Sequence, residues 1–144
     1  MHEFEQLEDA VIAALAPLKT EGLNDPDVYV GQFEVEDFKS MLPLFPCIYV
    51  IAGEMNVPES DTNRIKLGVL LLTGDQNRRS ARAVVRGDAT KQGVYHWLDR
   101  SHDLLHQKKL VPNWRSLRLS YERPLIYLPK EKICLFESLY TTEI

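Results

Sequence analysis

Between Ile65 and Lys109 the chain passes from an apolar strand pattern, through a basic link, into a helical pattern, and no other stretch limits the fold as tightly. Ile65-Lys-Leu-Gly-Val-Leu-Leu-Leu-Thr73 is apolar and short, the mark of a buried strand. Gly74-Asp75-Gln76-Asn77 has the composition of a turn. Arg78, Arg79, Arg82 and Arg86 follow. The spacing then predicts a helix from roughly Ala89 to Lys108, with Val94, Trp97, Leu98, Ser101, Leu104 and Leu105 on one face. Pro112 and Asn113 stop it.

Charge sets this stretch apart. Residues 74 to 109 hold eight Lys or Arg and four Asp, a net of +4, while residues 1 to 73 hold four basic and thirteen acidic side chains, a net of −9. Residues 110 to 144 add five basic and four acidic groups, so the whole chain is −4. The bland reading is a set of solvated faces that differ in sign. The sharper one is a molecule with an acidic and a basic side, which can pair head to tail with copies of itself and close a ring.

The rest of the chain supplies the partners of that strand and helix. Phe4, Leu7, Val11, Ala14 or Leu15, and Leu18 have helical spacing, with Glu3, Glu5, Glu8 and Asp9 near the positive end of the helix dipole. Pro17 ends or kinks that helix. Val28 to Phe33 alternates weakly and is read as a strand. Glu36 to Leu42 has room for one or two helical turns, with Phe38, Met41 and Leu42 inward. Pro46 to Ala52 is rich in β-branched residues and predicts a strand. Gly53 to Asn63 reads as a long, mobile polar loop. Trp114 to Arg123 alternates, with Leu117, Leu119 and Tyr121 on one side and Ser116, Arg118, Ser120 and Glu122 on the other. Pro124 bars it from continuing as a central strand. Pro129 to Lys132 is a charged turn, and Ile133 to Tyr140 is the last strand. The order α, β, short α, β, β, α, β, β predicts an α+β fold: one mostly antiparallel sheet with an N-terminal helix and a long helix packed on one face, in a single domain spanning 1–144.

The opening Met1-His-Glu-Phe-Glu lacks a basic segment followed by an apolar one, so no signal peptide is expected. The apolar runs are too short to span a bilayer. Cys47 and Cys134 lie in apolar strand patterns and are expected as reduced core thiols.

Chemistry-bearing motifs are sparse. His102 and His106 have metal-site spacing but no third ligand in sequence, and are read as solvated residues on a polar face. Asp75 follows a buried strand, where nuclease carboxylates sit, yet no acid-x-Lys partner follows on the next strand. Arg86-Gly87-Asp88 is read as a glycine break before the helix. No phosphate loop, nucleophile elbow or dinucleotide fingerprint is present, and no cofactor or metal is expected. The group Arg78, Arg79, Arg82 and Arg86 has three readings: solvated charge, a protein interface whose guanidinium forks meet carboxylates, or a phosphate-backbone contact. A pI of 5.6 and the lack of interleaved aromatics argue against the last.

Three stretches taken in order resemble the Mu-like phage tail terminator family. Leu7-Glu-Asp-Ala-Val-Ile-Ala-Ala-Leu15 is similar to the family's opening IEDAIVARL helix. Pro46-Cys-Ile-Tyr-Val, the strand 65 to 72 and Asp75-Gln-Asn-Arg-Arg79 are similar to its DRNLRG stretch, and Gly93-Val-Tyr-His-Trp-Leu98 to GAYxLL. Ile133-Cys-Leu-Phe-Glu-Ser-Leu-Tyr140 is similar to its aromatic and acidic last strand. The chain departs from the family pattern in the loop Glu54 to Asn63, at Arg86-Gly-Asp, and at Pro124 to Pro129.

The resemblance implies an α/β sandwich and no active site. It implies a hexameric ring that caps the head-proximal end of the tail tube, stops its polymerisation, and meets the sheath and a head-completion protein. It also implies assembly in the host cytoplasm before incorporation into the tail. The four arginines are then expected at a subunit or tail interface. The alternative from a different class is a small nucleic-acid-binding protein or metal-dependent nuclease that uses Arg78 to Arg86.

Overall fold

The period of two along the central strands sorts apolar side chains onto two faces, and the helices cover one of them. The structure is a computed structural model that describes residues 2–55 and 65–144. Among those residues the element order is α1 (Glu3–Leu15), a 3-10 segment (Ala16–Glu21), β1 (Asp27–Val28), a second 3-10 segment (Phe38–Leu44), β2 (Cys47–Glu54), β3 (Lys66–Gln76), α2 (Ala81–Arg86), α3 (Val94–Leu105), β4 (Arg118–Leu128) and β5 (Ile133–Glu143). The sheet order is β1-β2-β3-β5-β4. The short β1 runs parallel to β2, and every other pairing is antiparallel. The fold class is α+β, as the sequence predicts.

On one face Leu7, Val11 and Leu15 of α1 and Trp97 and Leu105 of α3 share a core with Ile48, Val50, Val69, Leu71 and Tyr140. On the other face Met41 and Phe45 pack with Cys47, Tyr49, Leu72, Ile133 and Leu135. Val84, Val94, Leu98 and Cys134 form a third, smaller cluster where α2 and α3 meet β5. Both cysteines are buried and unbridged, as expected.

Several boundaries differ from the sequence reading, each for a physical reason. The stretch 28 to 33 is not a strand beyond Val28: Gln32 accepts from the Val30 N–H and donates to the Val28 carbonyl, replacing a neighbouring strand. Gly74 to Gln76 is not a turn but the end of β3, paired with Leu135, Cys134 and Ile133 of β5. Glycine stands at 74 for space, since a Cβ there would lie 2.8 Å from the Phe45 ring.

The long helix predicted from Ala89 to Lys108 is shorter, spanning Val94–Leu105, and the basic link before it holds a helix of its own, α2, that the sequence reading did not predict. Asp88 Oδ1 accepts from the Thr90 and Lys91 N–H groups, which folds residues 88 to 91 into a turn. At the other end Gln107 donates to the Leu117 carbonyl and takes a φ of 62°, so α3 stops at Leu105. Gly87, with a φ of 80°, is the break expected before the helix.

Gly53 and Glu54, read as loop, extend β2 by pairing with Gly68 and Leu67. The Met55 N–H still donates to the Lys66 carbonyl, and the remainder of the predicted mobile loop, residues 56 to 63, lies outside the described residues. β4 begins at Arg118 and passes through Pro124, which it can do as an edge strand. Register shifts occur between Leu119 and Tyr121 and between Pro124 and Ile126. The first shift turns Tyr121 away from the side Leu119 occupies, against the alternation expected, and turns Glu122 toward Ser138 and His102.

A candidate association surface at the basic end of the sheet

β3 ends at Gln76, and the link into α2 is anchored at several points. The Asn77 N–H donates to the Lys132 carbonyl at 3.1 Å, and Asn77 Oδ1 accepts from the Arg79 N–H at 2.9 Å. Lys132 Nζ donates to the Arg78 carbonyl at 2.9 Å. Ser80 caps α2, its hydroxyl accepting from the Arg82 and Ala83 N–H groups, which satisfies donors the first turn would leave open. Tyr127 of β4 donates its hydroxyl to the Ala81 carbonyl at 3.1 Å. Inward, α2 buries Ala83 and Val84. Outward, Arg82 and Arg86 fall on one face at i, i+4.

All four arginines of the sequence reading are brought to this end of the sheet, and all four are exposed. Among the described residues none of them pairs with a carboxylate, whereas Lys91, Arg100, Arg115 and Arg123 all do. Tyr127 of β4 reaches this corner, and it and its neighbours Leu125 and Ile126 are each more than 40% exposed. Leu125-Ile-Tyr-Leu128 is apolar in sequence, but nothing there signals that Tyr127 meets Ala81, 46 residues away.

Directly beneath lies a buried polar knot. Asp75 is fully buried; its Oδ1 accepts from Lys91 Nζ at 3.0 Å and the Gln76 N–H at 2.7 Å, and its Oδ2 from Trp97 Nε1 at 3.1 Å. Lys91 also donates to the Gln76 carbonyl. Burial pushes the Asp75 carboxyl up, against the pull of Lys91, the Gln76 N–H and Trp97. A carboxylate consumed in this way has no free oxygen facing solvent, which removes the nuclease role considered for it. Among the described residues no group of three or more His, Cys, Asp and Glu could hold a metal ion. Burial also pushes the Cys47 thiol up, and the Cys134 thiol up to about 11, so neither is a ready nucleophile.

His102 is half-buried, and His106 is exposed, as read. His102 Nε2 meets Glu122 at 2.9 Å, and His106 Nδ1 accepts from the Leu119 N–H at 3.0 Å. Both fasten α3 to β4.

The opposite edge of the sheet is acidic. Asp25, Asp27, Glu34, Glu36 and Asp37 are all exposed, and residues 22 to 38 contain no Lys or Arg. Only Asp25 has a cation near it, Lys19 at 3.7 Å, among the described residues. Asp27, Tyr49, Leu72, Glu137 and Arg123 pair in turn across all five strands, so one rung begins on an acid at the β1 edge and ends on a base at the β4 edge.

A polar cleft of about 700 Å³ at the far end of the strands is lined by Lys66, Lys109, Arg115 and Arg118, with Glu143 3.5 Å from Arg115. Sequence reasoning missed it, because its cations are scattered from position 66 to 118. No helix among the described residues is long and apolar enough to cross a membrane.

The family model described as bacteriophage Mu, Gp37 matches residues 3–142. No curated protein matches the chain.

Proposed function

The chain belongs to the bacteriophage Mu Gp37 family and is a Mu-like phage protein; from that premise we propose that it is a structural component of the virion, the tail terminator. The match over residues 3–142 carries the reading. In this role the protein has no catalytic step. Copies assemble as a hexameric ring on the head-proximal end of the tail tube, halt its growth and present a surface to the sheath and a head-completion protein. Assembly takes place in the host cytoplasm, and the ring is then carried in the tail.

Ring closure needs two different surfaces on each subunit, because a contact that repeats by rotation is head to tail. The group Arg78, Arg79, Arg82 and Arg86, without a carboxylate partner among the described residues, and the acidic edge at β1 fit that requirement. Guanidinium forks accept carboxylates in bidentate pairs, and desolvation at a contact strengthens such pairs over their value in water.

Negative-stain imaging of the purified protein, alone and with tail tubes, tests the proposal. Six-fold rings or capped tube ends are expected. A protein that stays monomeric at high concentration and leaves tubes uncapped sinks it. If that protein instead bound duplex DNA with a steep dependence on salt, the arginines would be assigned to phosphate contacts.

A further inference from the structure

The ring reading leaves open which part of a neighbour the arginines meet, and the inference here rests on that reading. The loop 30 to 37 is the strongest counterpart on the molecule. Glu34, Glu36 and Asp37 are exposed there and form no ion pair among the described residues, Lys39 being the nearest cation in sequence. Between them Val35 is 37% exposed, and Val30 is 80% exposed. An apolar side chain that bare, set among carboxylates, matches a surface that is itself apolar and basic. The end of β4 beside α2 is such a surface, with the exposed Tyr127 meeting the helix that follows Arg78 and Arg79 and carries Arg82.

The loop is shaped before any partner arrives. Gln32 ties Val30 to Val28, Gly31 turns with a φ of 93°, the Glu34 N–H donates to the Gly31 carbonyl, and Asp37 accepts from the Ser40 N–H. A loop already held in one shape loses little entropy on docking.

Placement decides the symmetry. The loop follows β1 at one edge of the sheet, whereas the arginines lie on the link and helix that follow β3, the middle strand, and meet the far edge strand β4 at Tyr127. A two-fold pair built on either patch alone would set arginine against arginine or carboxylate against carboxylate.

We infer that the acidic loop 30 to 37 of one copy docks on the arginine end of β4 and α2 of a second copy, and that this is the repeating contact of the ring. Charge reversal with rescue tests it by mass photometry across a concentration series, with and without tail tubes. One variant carries Arg78→Glu, Arg79→Glu and Arg82→Glu, a second carries Glu34→Lys and Glu36→Lys, and a third carries both sets. Each of the first two should need roughly 100-fold more protein to form rings, since like charges set face to face cost several kcal/mol. The third should recover assembly to within about tenfold of the wild type. Melting curves for all three separate loss of contact from loss of fold.

Rings that form normally in the Glu34→Lys, Glu36→Lys variant overturn this contact and leave the terminator reading standing. Failure of the combined variant to recover, while folded, also overturns it. A wild type that assembles neither alone nor on tube ends removes the terminator reading, and this contact with it.

Discussion

Asp75 and Arg78 are three residues apart, and their surroundings teach opposite lessons about charge. Asp75 is sealed inside and has found every partner it can hold within its own chain: Lys91, the Gln76 N–H and the Trp97 indole. Arg78, with Arg79, Arg82 and Arg86, stands in solvent, and among the described residues no carboxylate meets any of them. A buried charge must be answered where it sits, because leaving it unpaired costs several kcal/mol. An exposed one is answered by water, and is free to exchange water for a carboxylate from outside. The first charge holds the fold; the second is available for association.

Breaking the buried half should have the largest effect. Asp75→Ala leaves the Lys91 ammonium without its counter-charge and the Trp97 N–H unanswered, and is expected to cost about 3 kcal/mol in urea unfolding. That is the low end for a broken buried pair, because Lys91 keeps 35% of its side chain in water. A variant as stable as the wild type would mean that the knot contributes nothing and the contrast is false.

Next comes the corner that carries the arginines. A Cβ at Gly93 would lie 2.6 Å from the Val85 carbonyl oxygen, a backbone atom that cannot step aside. Gly93→Ala is expected to cost about 1–3 kcal/mol by thermal unfolding. Loss of less than half of that would show a corner that yields.

The acid limb of stability sharpens the comparison further. Hydrogen bonds from Thr90 and Asn77 hold the exposed Asp88 carboxyl down to about 2. A depressed carboxyl stabilises the fold above its unfolded value of about 3.9, and that share is lost as pH falls toward 2. Asp75 has the opposite sign: its raised carboxyl favours the protonated form in the fold, so its share weakens as pH rises from the unfolded value toward the folded one. Asp88→Asn should therefore make the fall in the urea midpoint between pH 4 and pH 2 shallower than in the wild type. An unchanged slope would remove Asp88 from the acid limb.

The smallest effect is expected at the arginines themselves. Arg78→Ala, Arg79→Ala and Arg82→Ala, singly, should each shift monomer stability by less than about 0.5 kcal/mol. A larger loss for any of them would show that the fold, and not only a neighbour, depends on that side chain.

The fold was legible in the sequence wherever one period ran unbroken. The spacing of Leu7, Val11 and Leu15 marks α1, and the β-branched run from Cys47 marks β2. It became illegible where a side chain replaced a backbone partner. Gln32 ends β1 early, Asp88 folds the first residues of the predicted helix into a turn, and neither act leaves a trace in periodicity. Gly74 and Asp75 look like a turn because composition cannot distinguish a glycine chosen for its conformation from one chosen for space. Nor does it show that Asp75 will meet Lys91 and Trp97 sixteen and twenty-two residues later. The arginine group was legible because it is contiguous. Its apolar companions on β4 were not, because only the folded sheet brings Tyr127 to Ala81.

The broken rhythm of β4 has a further consequence. An eleven-residue strand at the rim of a sheet normally offers a ladder of open N–H and C=O groups to any extended chain that drifts past. Here Pro124 removes a donor, and two register shifts interrupt the ladder on either side of it. No visiting strand can zip along such a rim for more than a few residues. Copies that meet there must recognise each other by charge and shape, and a contact of that kind stops at the partner it fits instead of seeding an endless sheet.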